Sequence, residues 1–344
     1  MRFHPIFYGA APLLVLAVQS LRAESIYQLV VFGDSLSDNG NAAAALASVG
    51  KTLGNYAANS FTDGPHTVPA TSGPGGLWID QFAAIVGLPD PQPFLVNTPL
   101  GASSGILSAN ASATNFAVAS ALAGNNSNFS STNYLNPANP QVPGTTNQVE
   151  LFLSFNGQHA SPENLYVFWA GANNIFQSLG SVSSFVEFPV IAKDAADAIS
   201  GNIATLAKAG AKHFLWLNLP PLGRVPYVSD NADLLVRLLG KAAGDGAALA
   251  FNDELALDVD SLQKSYAIDI VVVNTNSLFN SIVANPGKYD FANVKDAGWC
   301  GTDGLKACTV DNPNGFLFWD ELHPTTAADK VLAQFTYSYV ASQF

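Results

Sequence analysis

Ser35 lies in a segment, GDSLSDNGN, whose residue types and position could support nucleophilic chemistry. The apolar run 27–32 before it is typical of a buried strand, and the alanine-rich segment after it is typical of a helix. A hydroxyl in such a turn lies at a helix amino terminus, where the helix dipole favours negative charge. A serine at this place is more often an ordinary helix cap, and Ser37 and Asp38 could serve as caps as well. Ser35 is therefore a candidate nucleophile that still needs a base.

Asp320 and His323 supply a candidate base, because they lie three residues apart in the segment WDELHPT. At this spacing a turn can bring the carboxylate to one imidazole nitrogen, which leaves the other nitrogen to accept a serine proton. The alternative is that Asp320 only caps a turn and that His323 is exposed. Among the other histidines His66 is the only rival, and we take His66 and Asp63, both in FTDGPH, as candidates for lining a pocket.

Asn173 and Asn174, in the segment WAGANNI, follow a predicted strand that ends at Trp169. A side-chain amide at this point can donate a hydrogen bond to a tetrahedral oxyanion, a contribution of about 3 to 4 kcal/mol in comparable sites. Asparagine in a strand-to-helix loop is also a common turn former. We take Asn173 as a candidate oxyanion donor and Asn174 as a candidate for lining the pocket.

Alternating strands and helices must position these residues. The predicted strands cover 27–32, 165–169, 214–217 and 269–273, with a short one at 116–118. The predicted helices cover 38–49, 78–86, 146–155, 190–209, 232–262 with an interruption near Gly244, and 327–340. This alternation predicts an α/β fold, a three-layer α/β/α sandwich with a parallel sheet. Ligands bind such sheets beyond the carboxyl ends of the strands, where Ser35 and the segment 171–174 would meet.

The charge balance limits the partners. The formal net charge is -12, so a phosphate backbone or an anionic membrane surface would repel the protein. We therefore expect no nucleic-acid partner. Only 12% of the residues are charged, which suits a neutral substrate such as a sugar or an ester. Too few ligands lie near the two cysteines for a metal site, and we expect neither a metal nor another cofactor.

Residues 1–23 are typical of a secretory signal peptide. Arg2 precedes an apolar run at 9–18, and small residues at Ser20 and Ala23 offer cleavage points. The run is shorter than the roughly 20 apolar residues that span a bilayer, so a membrane anchor is not expected. The sequence predicts a secreted, extracellular protein whose mature part, 24–344, forms one domain, and we favour a monomer.

Two further features are typical of an exported protein. Sequons at Asn110, Asn125 and Asn128 lie in a stretch rich in serine, asparagine and alanine, and we predict glycosylation there in a surface loop. Cys300 and Cys308 lie eight residues apart, and in an oxidising compartment we predict that they form a disulfide closing a small loop.

Taken together, GDSLSDNGN, GANN and DELH resemble the motif blocks of the GDSL or SGNH hydrolase family, in the same order and over nearly the whole mature chain. The resemblance implies a flavodoxin-like sandwich and a serine esterase. Ser35 would be the nucleophile and one oxyanion donor through its backbone N–H, and Asn173 the side-chain donor. His323 would be the base, and Asp320 would orient it.

The resemblance departs from the family pattern at two positions. The family's remaining oxyanion donor is usually a glycine N–H, and the segment NFAVASA places Ala119 at that position. Alanine adopts positive φ less freely than glycine does. Asn174 stands where many relatives have aspartate.

FTDGP, WIDQFA, the signal peptide and the acidic charge resemble fungal extracellular acetyl esterases. That resemblance implies acetylated oligosaccharides of plant cell walls, or small esters, as substrates. Two alternatives remain open. One is the same chemistry on longer acyl chains, as in a GDSL lipase or carboxylesterase, and the other is a noncatalytic carbohydrate-binding relative.

Overall fold

A computed structural model describes most of the chain. The described residues are 26–54, 56, 60–63, 76–99, 105–131, 135–136, 141–178, 185–298 and 313–341. The predicted signal peptide at 1–23, His66, Cys300 and Cys308 lie outside these ranges.

A parallel sheet of four strands forms the centre of the fold, in the order β1-β4-β5-β6. These strands are β1 (Gln28–Gly33), β4 (Asn164–Trp169), β5 (His213–Leu217) and β6 (Asp269–Val273). Their side chains are buried on both faces, as apolar runs rich in valine, leucine and phenylalanine require. Gly33 of β1 lies opposite Trp169 of β4, so the two strands end together. The predicted parallel sheet is confirmed.

Helices cover both faces of this sheet. They are α1 (Asn41–Ser48), α2 (Trp78–Val86), α3 (Thr145–Phe155), α4 (Ala172–Phe176), α5 (Phe188–Ala209), α6 (Pro226–Ser229), α7 (Leu234–Ser265), α8 (Thr275–Ala284) and α9 (Thr326–Val340). Helix α5 packs on α3 and α7 in one layer, and α9 packs on α2 and α8 in the other. The three-layer α/β/α architecture predicted from the alternation is confirmed.

Residues 115–118 run beside β1 as an extra, irregular parallel segment. Asn115 bridges Val31, and the N–H groups of Phe116 and Val118 donate to the carbonyls of Val31 (2.8 Å) and Gly33 (3.1 Å). The segment therefore advances in step with β1 and delivers the residues after Val118 to the same edge of the sheet as the residues after Gly33.

A column of aromatic rings holds this segment to the sheet. The centroid of Phe32 lies 4.9 Å from that of Phe168 and 5.9 Å from those of Phe116 and Phe152. All four rings are buried. Rings at these separations pack favourably beyond the area that they bury, so the residues before the sheet edge are rigidly held.

Helix α7 corrects one expectation. It runs unbroken from Leu234 to Ser265, although the sequence predicts an interruption near Gly244. A Cβ at Gly244 would lie 2.9 Å from the backbone nitrogen of Gly223. The glycine therefore permits a close approach of the 3₁₀ turn Leu222–Arg224 to the helix, and it does not break the helix.

Two small strand pairs lie outside the central sheet. β2 (Leu95–Pro99) pairs antiparallel with β3 (Gly105–Ala109), and β7 (Asn293–Ala297) pairs in parallel with β8 (Phe316–Phe318). Within the described residues, no helix combines the length and apolar character that crossing a bilayer requires.

Candidate active site

Three side chains form a hydrogen-bonded series at the carboxyl edge of the sheet. His323 Nε2 lies 2.8 Å from Ser35 Oγ, and His323 Nδ1 lies 2.7 Å from Asp320 Oδ2. Asp320 and His323 are 7% and 9% exposed, whereas Ser35 is more accessible. Such a series allows a hydroxyl proton to pass to the imidazole while the carboxylate balances the resulting charge.

Gly33 explains how Ser35 reaches this edge. A Cβ at Gly33 would lie 2.4 Å from the carbonyl oxygen of Trp169, so no larger residue fits at the end of β1. The Gln148 side chain accepts from Gly33 N at 2.9 Å and donates to Gly33 O at 2.8 Å. The strand is therefore fixed on both sides just before the chain turns to Ser35.

Asp38, and not Ser35, binds the first backbone N–H groups of helix α1, whose N-cap residue is Gly40. Asp38 Oδ1 accepts from the N–H of Asn41 at 2.7 Å, and Asp38 Oδ2 from that of Ala42 at 3.1 Å. Ser37 Oγ accepts instead from the indole of Trp78 at 3.2 Å. The Ser35 hydroxyl is thus left to His323.

The asparagines of the same segment bind the strand-like residues 115–118. Asn41 Nδ2 donates to the carbonyl oxygens of Asn115 (3.0 Å) and Ala117 (2.8 Å). Asn115 Nδ2 donates in turn to Asn39 Oδ1 at 2.8 Å. These buried amides connect the turn containing Ser35 to the neighbouring segment, because each amide offers both donors and an acceptor.

A tight turn ahead of α9 presents Asp320 to His323. Asp320 Oδ1 accepts from the backbone N–H groups of Leu322 (2.7 Å) and His323 (2.6 Å). Burial alone would raise the pKa of Asp320, but the charge and hydrogen bonds of His323 outweigh it and lower that pKa to about 2. The carboxylate is therefore ionised at neutral pH and accepts the Nδ1 proton. Neutral His323 then offers Nε2 as an acceptor to Ser35.

The environment of His323 favours its protonated form. Burial acts to lower the pKa of His323, but the Asp320 carboxylate, its hydrogen bond and the nearby Asp34 together raise that pKa above its usual value. The imidazole is thus a stronger base than an exposed histidine, as a proton acceptor from a hydroxyl requires.

The two adjacent asparagines have different contacts. Asn173 Nδ2 donates to the carbonyl oxygen of Ala121 at 3.0 Å and retains a second N–H. Asn174 exchanges two hydrogen bonds with the backbone of Ala123, at 2.9 and 3.0 Å. Asn174 therefore fixes the loop; it is not among the residues that line the apolar cavity described below, and its place in a substrate pocket stays a prediction.

The backbone near Asn173 departs from the expectation for Ala119. The Ala119 N–H donates to buried Asp38 Oδ2 at 2.8 Å, so it is not available to an oxyanion. The next residue, Ser120, has φ +65, the left-handed conformation that glycine favours. Within the described residues, its N–H has no acceptor. In this segment the Ser120 N–H, one residue after Ala119, is therefore the better candidate for a donor.

Asp63 lies beneath this site. Its Oδ1 accepts from the N–H of Thr326, the first residue of α9, at 2.6 Å, and Asp63 is fully buried. It therefore anchors the start of the helix that follows His323. Asp63 is not among the residues that line the apolar cavity described below, and its role in lining a substrate pocket stays a prediction.

Tyr56 makes a contact with Asp320 that the sequence did not predict. Its hydroxyl donates to Asp320 Oδ2, the same oxygen that receives His323 Nδ1. The Tyr56 ring meets the imidazole edge-on with centroids 5.7 Å apart. No spacing pattern could have indicated this contact, since 264 positions separate the two residues.

An apolar cavity of about 120 Å³ adjoins the series. Neighbours of Ser35 (Asp34 and Leu36) and of His323 (Leu322 and Pro324) contribute to its wall. The remaining wall is apolar and comes from the strand ends and from α8 and α9, including Trp169, Leu219, Leu278, Phe279, Ala328 and Leu332. Ser35, His323, Asp320 and Asn173 are not themselves among the residues that line the cavity.

One acidic cluster outside this site has metal-ligating residue types. Carboxylate oxygens of Asp197, Glu254 and Asp258 lie within 4.8 Å of one another on α5 and α7. Lys193 Nζ lies 2.9 Å from Asp197 Oδ2 and 2.7 Å from Glu254 Oε1. Because Lys193 already pairs with two of these three carboxylates, we assign no metal there.

The three sequons differ in accessibility. Asn125 and Asn128 are exposed. Asn110 is half-buried, and its Nδ2 donates to the carbonyl oxygen of Pro93 at 3.1 Å. A glycan fits more readily at Asn125 and Asn128 than at Asn110, because the nitrogen of Asn110 is already bonded.

Comparison with known proteins identifies the family of the chain. The family model described as GDSL-like Lipase/Acylhydrolase matches residues 29–335. An Arabidopsis thaliana protein, GDSL esterase/lipase 6, is 27% identical over 93% of this chain and 88% of its own length. Lipase 1 of Photorhabdus luminescens is 23% identical over 98% of this chain and 54% of its own length.

Some other relatives match this chain over a smaller share of its length or of their own. A second Arabidopsis thaliana GDSL esterase/lipase is 31% identical over 38% of this chain and 34% of its own length. The chain spans between about a third and about half of the first curated relatives that it matches. The family match nevertheless includes Ser35, Asn173, Asp320 and His323. The chain belongs to the GDSL-like lipase/acylhydrolase family.

Proposed function

We propose that the chain is a serine esterase that works through an acyl-enzyme. The observation that carries this proposal is the series Ser35 Oγ, His323 Nε2, His323 Nδ1 and Asp320 Oδ2, with contacts of 2.8 and 2.7 Å. Membership of an esterase and lipase family supports a carboxylic ester as the substrate.

The reaction has two halves. His323 accepts the Ser35 proton as Oγ attacks the ester carbonyl, and the imidazolium then protonates the departing alcohol as the ester C–O bond breaks. In the second half, His323 takes a proton from water while the water oxygen attacks the acyl carbon. The tetrahedral intermediate collapses, Ser35 regains its proton and the carboxylic acid leaves. Asp320 stays ionised throughout and balances the imidazolium.

Three donors would hold the oxyanion. We assign them to the backbone N–H groups of Ser35 and Ser120 and to the free N–H of Asn173. Two features support Ser120: Asn173 Nδ2 binds the adjacent carbonyl of Ala121, and the segment 115–118 advances in step with β1. Preorganised donors of this kind stabilise developing charge more than water does, because they do not reorient during the reaction.

Two candidate substrates differ in the length of the acyl group. The motif resemblance favours acetyl esters of cell-wall carbohydrates. The apolar cavity, whose wall includes Asp34 and Leu36 on either side of Ser35 in the sequence, supports the second candidate, an ester of a longer acyl chain. An acetyl methyl group would fill little of 120 Å³, whereas an apolar cavity of about 150 Å³ can hold a benzene molecule.

Substitution of the nucleophile tests the reaction. We expect Ser35→Ala to lose at least a thousandfold in kcat on a chromogenic aryl acetate, because no other group replaces the attacking oxygen. Ser48→Ala is the matched control, since Ser48 in α1 bonds only the carbonyl of Ala45 at 2.7 Å. Circular dichroism and melting curves of both variants would check the fold. Retention of activity in Ser35→Ala would contradict the proposal.

The location of the protein is a separate proposal. Residues 1–23, the exposed sequons at Asn125 and Asn128 and the cysteine pair Cys300 and Cys308 support secretion, glycosylation and one disulfide. Expression in a eukaryotic host, followed by amino-terminal sequencing of protein from the medium, tests it. An intact Met1 on intracellular protein would contradict it.

A further inference from the structure

Asp320 has more partners than the histidine alone. Its Oδ1 accepts two backbone N–H groups, and its Oδ2 accepts both His323 Nδ1 and the Tyr56 hydroxyl. Tyr56 thus contacts the carboxylate oxygen that stabilises the protonated imidazole. A phenol that donates to this oxygen withdraws part of its negative charge from the imidazole.

Tyr56 stays a donor over the whole range in which a histidine titrates. Burial, together with the charges of Asp320 and Glu321, raises the pKa of the Tyr56 phenol far above its ordinary value. The phenol is half-buried against the rings of Phe61 and His323, at centroid distances of 4.9 and 5.7 Å. The ring therefore holds the hydroxyl in one place, where it can fix the orientation of the carboxylate.

We propose that Tyr56 is a positioning residue, which orients Asp320 Oδ2 and reduces the negative charge on it. His323 is then a weaker base than the Asp320 carboxylate alone would make it. The inference rests on the proposed esterase function, because it concerns the same proton transfer. The described hydrogen bond of the Tyr56 hydroxyl is to Asp320, so the effect that we propose passes through Asp320.

Loss of the hydroxyl has a definite electrostatic consequence. Without it, Asp320 holds more negative charge on Oδ2 and stabilises the imidazolium more strongly, so the pKa of His323 rises further. The other groups that face this pair are Asp34, which also raises the pKa of His323, and Glu321, which faces Tyr56. A substitution at Tyr56 leaves the side chains of Asp34 and Glu321 in place. A difference between the pH profiles of the parent and of Tyr56→Phe therefore reports the loss of the hydroxyl.

The test compares Tyr56→Phe with Tyr166→Phe in the full chain. Tyr56→Phe keeps the ring and removes the hydroxyl that donates to Asp320. Tyr166→Phe also removes one tyrosine hydrogen bond, to the carbonyl of Ser161 at 2.9 Å, but at a distance from Asp320 along β4. For Tyr56→Phe we expect kcat to fall about tenfold and the acid limb of kcat/KM to move to higher pH. Tyr166→Phe should lose stability without moving that limb.

A double-mutant cycle with Asp320→Asn completes the design. If Tyr56 acts through Asp320, Tyr56→Phe should have little further effect on kcat once the carboxylate is gone. An unchanged acid limb in Tyr56→Phe, or an undiminished kcat effect in the Asp320→Asn background, would overturn the inference. Such a result would leave the esterase proposal intact, whereas an active Ser35→Ala would remove the basis of both.

Discussion

The residues around Ser35 make contacts that depend on their residue types. Gly33 allows the approach of Trp169, Asp38 binds the first N–H groups of α1 and that of Ala119, and Asn41 binds the segment beside β1. The sequence was sufficient to nominate Ser35, Asp320, His323 and Asn173, because a strand edge, a three-residue spacing and a loop amide are local signals. It could not identify Ser120 or Tyr56, whose contacts depend on a backbone φ and on a long-range bond.

The adjacent asparagines provide a prediction at this scale. Asn173→Ala should lower kcat by about 10²- to 10³-fold, the usual effect of removing one oxyanion donor, with little change in KM. Asn174→Ala should instead lower the melting temperature, because it leaves the Ala123 N–H and carbonyl without their partners.

Steady-state kinetics and thermal melts of the two variants check this difference. The assignment of Asn173 as a donor would be wrong if both asparagine variants lost kcat equally, or if Asn173→Ala changed only the melting temperature.

At the scale of elements, the strands and helices of the central sandwich were predictable from periodicity. The bounds of α2 and β6 agree with the predicted ranges, and those of α3 and β5 differ by one residue at one end. Helix α8 was missed, although Asn274 caps it by accepting from the Ser277 N–H at 2.9 Å. The β2–β3 hairpin was also missed, because its two short strands lack a clear apolar alternation and lie partly exposed.

The cavity between α8 and α9 provides a prediction at this scale. Ala328 lies in the first turn of α9 and lines the cavity. If this cavity holds the acyl chain, Ala328→Leu, which fills part of it, should lower kcat/KM for octanoyl esters more than for acetyl esters. A series of aryl esters from acetate to octanoate measures that ratio.

Ala333, on the same helix, is the matched control, because it is buried but does not line the cavity. Ala333→Leu also overpacks α9, which typically costs about 1–3 kcal/mol of stability. If both variants changed the chain-length ratio alike, or if neither did, the cavity would not hold the acyl chain.

On the scale of the whole molecule, folding shifts the pKa values of buried acidic groups in two opposite directions. Asp320 is stabilised as an anion, with a pKa lowered to about 2, so its contribution to stability is lost as the pH falls below about 4. Asp329, in α9, is buried near Asp63 and Asp80. Burial first, and then the charges of these two carboxyls, raise its pKa well above 3.8. The net charge of -12 alone could not have distinguished the two groups.

Asp329→Asn therefore has a predicted dependence on pH. Asp329 ionises near pH 4 in the unfolded chain and has a higher pKa in the folded protein, so its contribution to stability falls as the pH rises from about 4 toward the folded-state pKa. The asparagine has no such dependence. We expect the variant to match the parent near pH 4 and to exceed it at pH 8.

Urea unfolding of parent and variant at both pH values gives the comparison. Asp230→Asn serves as a control, since Asp230 is exposed. An equal difference between Asp329→Asn and its parent at pH 4 and pH 8 would contradict a raised pKa of Asp329 in the folded protein.

Covalent labelling by an aryl phosphonate ester tests the central claim most directly, because it requires a hydroxyl activated by a base. We expect one adduct per chain, found on Ser35 by peptide mass spectrometry, absent in Ser35→Ala and formed at least a hundredfold more slowly in His323→Ala. An adduct on a residue other than Ser35, or an equal labelling rate in His323→Ala, would contradict the account.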